Sequence, residues 1–226
     1  ALLRHGADVR AVNKEGETLL HRAKYPDMAR FLFKSGVDVN ATDNDGRNPL
    51  HGSNFSPREE VARVLIECGV DVEARDHKGN TPLHFAASRE PEHNAALVKT
   101  LIEEDSNVNA KNDDGQTALH QIVVRGNHNG YEYFKWLTAT LLIEAGADVN
   151  AQDNFGFTPL HRAASFRRMA TSTYYGVKFL LENGADSEAT TTDGKTADEF
   201  TEDWSSGRFE YLASEVRKTH DLLVDH

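Results

Sequence analysis

The sequence predicts an all-α fold, a stack of helix pairs joined by polar hairpin fingers, and three observations predict it. Two half-motifs recur six times along the 226 residues. The spacing from one half to the other never changes. Between the recurrences lie apolar stretches of helical period, whereas the connecting stretches are polar.

The unit is most complete in Leu141 to His161, LLIEAGADVNAQDNFGFTPLH. Leu141, Leu142 and Ile143 give a helix end its apolar face, and Gly146 stands where a left-handed residue stops that helix. Asp148 to Phe157 is polar, with Asn154 and Gly156 at turn positions. Thr158 offers a hydroxyl to the free N–H groups of the next helix, and Pro159 takes its first position, where a missing N–H costs nothing. The helix-end half recurs as LLRHGADVRAVN from Leu2, FLFKSGVDVNATD from Phe31, VLIECGVDVEARD from Val64, TLIEEDSNVNAKN from Thr100 and FLLENGADSEATT from Phe179. The helix-start half recurs as GETLLH from Gly16, GRNPLH from Gly46, GNTPLH from Gly79, GQTALH from Gly115 and GKTADE from Gly194.

Successive second-half glycines are 30, 33, 36, 41 and 38 residues apart. From the helix-ending position (Gly6, Gly36, Gly69, Asp105, Gly146, Gly184) to the helix-starting position (Thr18, Asn48, Thr81, Thr117, Thr158, Thr196) the step is always 12. All length variation therefore lies inside the helical pairs. Fingers must keep register with their neighbours, whereas a turn joining two antiparallel helices grows at little entropic cost. The first complete repeat is short, with Pro26 close after its first helix, and insertions fall around Ser88 to Asn94, Gly126 to Tyr133 and Arg167 to Tyr174. Tyr133, Trp136 and Leu137 share one side of a helix, which predicts a lengthened second helix, and Tyr174 and Tyr175 are expected to begin the next one.

The TPLH-type helix starts and GADVNA-type fingers resemble the ankyrin-repeat family. The resemblance covers nearly the whole chain and implies an ankyrin-repeat solenoid over residues 1–226 as one domain. Residues 1–13 form a partial first repeat, about 14–193 five full repeats, and 194–226 a capping repeat that shields the last apolar face. Ala1 falls inside what would be a second helix, so the chain is expected to be a fragment of a longer array or a trimmed one.

Composition narrows the function. The formal net charge is −11 and the pI about 5.4, which argues against broad contact with nucleic-acid phosphates. No run approaches the roughly 18 apolar residues of a membrane span, and the N-terminus has no secretory pattern. A single cysteine, Cys68, precludes an internal disulfide and fits the cytoplasm or nucleus, or a host cytoplasm for a secreted effector. Of eleven histidines, His21, His51, His84, His120 and His161 hold the same place in successive repeats, so they form a ladder rather than converge on a metal. Asp38, Asp43, Asp71, Asp76, Asp148 and Asp153 recur likewise and are expected to accept backbone N–H groups in their own fingers. No nucleophile elbow, phosphate loop or dinucleotide fingerprint is present, so no catalysis and no cofactor are expected.

Binding of a protein partner, by a chain monomeric in itself, is the expected function. The resemblance implies that finger tips and first helices line a concave face used for that purpose. Arg47, His77 and Lys78 are tip residues on that face, as are Phe155 and Phe157, the two that depart from polar character. With Phe166 and Arg167 the phenylalanines form a candidate aromatic and arginine hot spot; the alternative is packing between neighbouring fingers. A second expectation is that the chain is the regulatory or substrate-recruiting segment of a larger enzyme, channel or effector. The resemblance also implies that Asn40, Asn109 and Asn150 are candidates for side-chain hydroxylation.

Overall fold

The computed structural model describes residues 8–52, 59–88, 94–124, 132–165, 170–202 and 221–222. Its helices are α1 (Pro26–Lys34), α2 (Glu59–Glu67), α3 (Pro82–Ser88), α4 (Asn94–Glu103), α5 (Ala118–Val124), α6 (Glu132–Glu144), α7 (Pro159–Ala164), α8 (Ala170–Glu182) and α9 (Glu199–Glu202), with a 3₁₀ turn at Pro49–His51. Among the described residues there is no strand; the fingers are turns. The chain forms two compact units, residues 1–107 and 108–226. In the first, α1 packs on α2, α2 on α4 and α3 on α4; in the second, α5 packs on α6 and α7, and α7 on α8 and α9.

One leucine from each half of the repeat builds the core. Leu50 and Leu83 in the first unit and Leu119 and Leu160 in the second are essentially buried, as are Leu65, Leu101, Leu142 and Leu180 on the second helices. Full burial of such a side chain contributes about 1.5–3 kcal/mol. The first helices of the two leading repeats are reduced, which departs from a uniform helix pair. Residues 19–22 form only a turn, because Pro26 holds Tyr25 extended (φ −134°, ψ 141°) and the chain must already have left the helix. In the next repeat Gly52 takes φ 69° directly after His51 and ends the 3₁₀ turn. The expected insertions largely fall on residues 89–93, 125–131 and 166–169, outside the described residues. The lengthened second helix is present as α6, whose Trp136 stacks on Phe179 with centroids 4.9 Å apart, while Leu137 is exposed. Helix α8 starts at Ala170, ahead of the two tyrosines expected to begin it.

Each finger is fixed by the same few bonds. In the finger of Asp153 to Phe157, Asp153 N–H donates to the Phe157 carbonyl at 2.9 Å and Gly156 N–H to the Asp153 carbonyl at 2.9 Å. The Asp153 carboxylate accepts from Phe155 N–H at 2.9 Å and Phe157 N–H at 3.0 Å. Asp43 and Asp76 do the same for residues two and four further on, and Asp38, Asp71 and Asp148 each accept from the N–H two residues on. The recurrent aspartates are scaffold. Gly156 has φ +77°, and a Cβ there would lie 2.7 Å from Thr192 N and 2.9 Å from Thr191 C; Gly146 has φ +90° but open space around it. Gly146→Ala is accordingly expected to cost about 1 kcal/mol and Gly156→Ala about 3, because only the latter adds a clash with backbone to the left-handed strain. Urea midpoints of the two variants measure the difference.

The histidine ladder ties repeats together. Backbone N–H groups of Thr18, Thr81, Thr117 and Thr158 donate to the Nδ1 of His21, His84, His120 and His161 at 3.1–3.2 Å, whereas His51 Nδ1 lies nearest the Asn48 amide oxygen, at 2.7 Å, and is bonded differently. Since a backbone N–H can only donate, Nδ1 of those four rings is the acceptor and the ring proton sits on Nε2. That proton is given to a carbonyl of the next finger: from His21 to Arg47 (2.8 Å), His120 to Phe157 (3.0 Å) and His161 to Lys195 (3.0 Å); His51 Nε2 lies 3.1 Å from the Asn80 carbonyl. Both nitrogens are used in holding structure.

Candidate partner-binding surface

Within each unit, finger tips and the residues that follow them form side-chain pairs at a common spacing. In four fingers the last residue of the tip meets the residue five positions on, whereas the Asn80 side chain bonds Asp76 instead. Glu17 bonds Arg22 at 2.9 Å, Gln116 accepts from Gln121 at 2.6 Å, the Arg162 guanidinium lies 4.7 Å over the Phe157 ring, and Lys195 Nζ lies 5.8 Å over the Phe200 ring. Arg47 has Gly52 at that position, which offers no side chain, and its guanidinium instead lies 4.8 Å over Phe85 of the following repeat. An ion pair, an amide pair and cation–π contacts thus fill the same slot.

Phe157 belongs to this row. Besides Arg162 it touches His161 (5.8 Å) and Phe200 (5.2 Å), and it is half-buried. Arg162 also forms an ion pair with Asp153, whose side chain is fully buried. Burial opposes ionisation of Asp153, but the Arg162 hydrogen bond and the N–H groups of Phe155 and Phe157 outweigh it and hold the carboxyl below its ordinary range. Asp76 is depressed in the same way, burial being outweighed by Asn80 and the Lys78 N–H.

Phe155 is different: it is 60% exposed. Its finger is held on both sides. Asn154 N–H donates to the Asp114 carbonyl at 3.0 Å, and Thr192 N–H to the Phe155 carbonyl at 2.9 Å. A large apolar side chain is thereby presented to solvent on a fixed backbone, between tips bearing Asp113, Asp114 and Asp193. In the first unit Arg47 is partly exposed and paired with Asp45 at 2.8 Å, the His77 ring lies over Gly46, and Lys78 is exposed. Phe166 and Arg167 lie outside the described residues. The pairing rule was not anticipated from the sequence, although the position after each ladder histidine (Arg22, Gly52, Phe85, Gln121, Arg162) was available to find it.

The three asparagines make a second set of ties. Asn40 donates to the Gly69 carbonyl at 3.1 Å and accepts from Asp71 N–H at 2.7 Å; Asn109 does so with Gly146 (2.9 Å) and Asp148 (2.7 Å), and Asn150 with Gly184 (3.1 Å) and Asp186 (2.8 Å). Among the described residues no group of three or more His, Cys, Asp or Glu could hold a metal ion, and no helix is long and apolar enough to cross a membrane.

Helix pairs, hydrogen-bonded fingers and a recurring buried histidine define a helical repeat protein. Family models described as "Ankyrin repeats (3 copies)" match residues 1–76 and 54–139, more than half of the chain, and one described as "Ankyrin repeats (many copies)" matches 137–174. The chain belongs to the ankyrin-repeat family, whose members are generally protein–protein interaction modules. It is 35% identical over 112 residues to the RelA-associated inhibitor of Mus musculus, covering 49% of this chain and 12% of that protein. It is 33% identical over 160 residues to neurogenic locus notch homolog protein 1 of Danio rerio, covering 69% of this chain and 6% of that one. The chain thus spans a small part of the curated relatives it matches. Among solved structures, the ankyrin repeat protein EF0377 superposes with a TM-score of 0.72 at 20% identity, over 92% of this chain and 96% of that one. The ankyrin repeat domain of Bcl-3, a member of the IkappaB protein family, gives 0.69 at 24% identity, over 99% and 89%. At these identities the structural likeness supports the fold alone.

Proposed function

We propose that this chain is a non-catalytic binding module that recognises a protein partner through finger tips and first helices, with Phe155 as its principal anchor. The observation that carries the proposal is a phenylalanine 60% exposed at the end of a finger bonded to neighbours on both sides. A rigid, pre-placed aromatic loses little freedom on being covered, which is what a hot spot requires. In the first unit Arg47, His77 and Lys78 contribute polar contacts, and Phe157 supports the surface from beneath. Cys68 and the charge balance suit the cytoplasm or nucleus. Because the curated relatives are many times longer than the matched region, a second reading has this chain recruiting partners for other domains of a larger protein.

Phe155→Ala is expected to weaken capture of the partner by roughly tenfold or more, with the fold retained because the ring makes little of the core. Capture from the native source, followed by titration of the recovered partner against both forms, measures this. An unchanged affinity would remove Phe155 from the proposal.

A further inference from the structure

The repeat that carries α4 breaks the common pattern at four places at once. Its helix-ending position is Asp105, at φ 59°, the one non-glycine with positive φ among the described residues; glycines hold the equivalent positions 36, 69, 146 and 184. The next residue, Ser106, is buried where Val37, Val70 and Ala147 stand in other repeats. On α4, Thr100 is fully buried at the position that Val64 fills in the preceding repeat. The hydroxyls of both Thr100 and Ser106 are buried without a hydrogen-bond partner. The fourth departure is in the tie from the preceding finger. Where Asn40, Asn109 and Asn150 each make two bonds across to the following finger, the equivalent Glu73 has no amide N–H to give to a carbonyl, and the bond found is Asn107 N–H to its carboxylate at 2.9 Å.

Each departure removes stabilisation from the same finger. In a linear array, stability is close to a sum of repeat and nearest-neighbour contributions, so a repeat short of several of them opens on its own while better-built ones stay closed. We propose that residues 100–107 form a weak link built into the array, at which it opens locally before the corresponding segments of its neighbours. The role of such a link is conformational: it lets the array yield at a set position when a partner binds or when the chain is strained.

Hydrogen exchange of the full chain at neutral pH tests this. The amides of Glu104, Asp105 and Ser106 are bonded to the Thr100, Ile102 and Leu101 carbonyls, as Cys68, Gly69 and Val70 are to Val64, Ile66 and Leu65, and Ala145, Gly146 and Ala147 to Leu141, Ile143 and Leu142. With like bonding, the first set is expected to exchange about tenfold faster or more than the other two. The double variant Thr100→Val, Ser106→Ala and the single variant Asp105→Gly are each expected to narrow that gap. Equal exchange in all three sets would overturn the proposal, and so would a gap that neither variant narrows.

Discussion

Between pH 7.5 and pH 5 the chain is expected to lose resistance to urea, well before its carboxylates titrate. His120 and His161 are buried as neutral rings, and burial pushes the pKa of each below its ordinary 6.5, against the opposing pull of carbonyl bonds and nearby Asp153; burial lowers the pKa of His51 as well. The unfolded chain takes up protons near pH 6.5, the folded chain only at lower pH. Between those two values the unfolded state binds more protons, so stability is full above 6.5 and falls as pH drops toward the folded values. Each histidine contributes a slope of up to about 1.4 kcal/mol per pH unit within that window. A second decline follows at lower pH. Glu17, Asp76 and Asp153 are held below their ordinary values of 4.5, 3.8 and 3.8, so their contribution is lost as they protonate in the folded chain. Urea midpoints measured at half-unit steps of pH test the first window, and a flat profile from 7.5 to 5 would contradict the neutral ladder.

Asp153→Ala is the single substitution expected to be most damaging to the finger that carries Phe155. It removes the acceptor of two backbone N–H groups and leaves Arg162, whose side chain is 26% exposed, without its buried partner. Breaking such a partly buried pair costs about 3–5 kcal/mol. The chain supplies its own control. Asn112 stands at the equivalent place in the preceding finger and accepts from Asp114 N–H at 3.1 Å and Gln116 N–H at 2.9 Å. Asp153→Asn therefore keeps the turn and loses mainly the charge, with an expected cost of about 1–2 kcal/mol. Thermal or urea unfolding of the two variants separates the turn's contribution from that of the ion pair.

Much of this was legible in the sequence because the scaffold repeats. A glycine needed at positive φ, an aspartate needed to close a turn and a histidine needed to span two fingers each recur at fixed offsets. What recurs only as geometry was hidden. Glu17 with Arg22, Gln116 with Gln121 and Phe157 with Arg162 share a spacing but no chemistry, so composition does not flag them. Phe155 and Phe157 are two residues apart in one finger, yet one faces solvent and the other meets Arg162 and Phe200. Their sequence context left both roles open for both residues. The reduced first helices were half visible: Pro26 marks the first, whereas the second depends on the conformation of Gly52.

The most direct test of the central claim is site-specific photo-crosslinking. A photoreactive phenylalanine analogue is placed at position 155, on the finger tip, and in a separate sample at Lys178, an exposed residue of α8 on the second-helix side. The partner is expected to be crosslinked from position 155 and not from position 178. Crosslinking from 178 with none from 155 would contradict it, and would move the binding surface to the opposite side of the repeats.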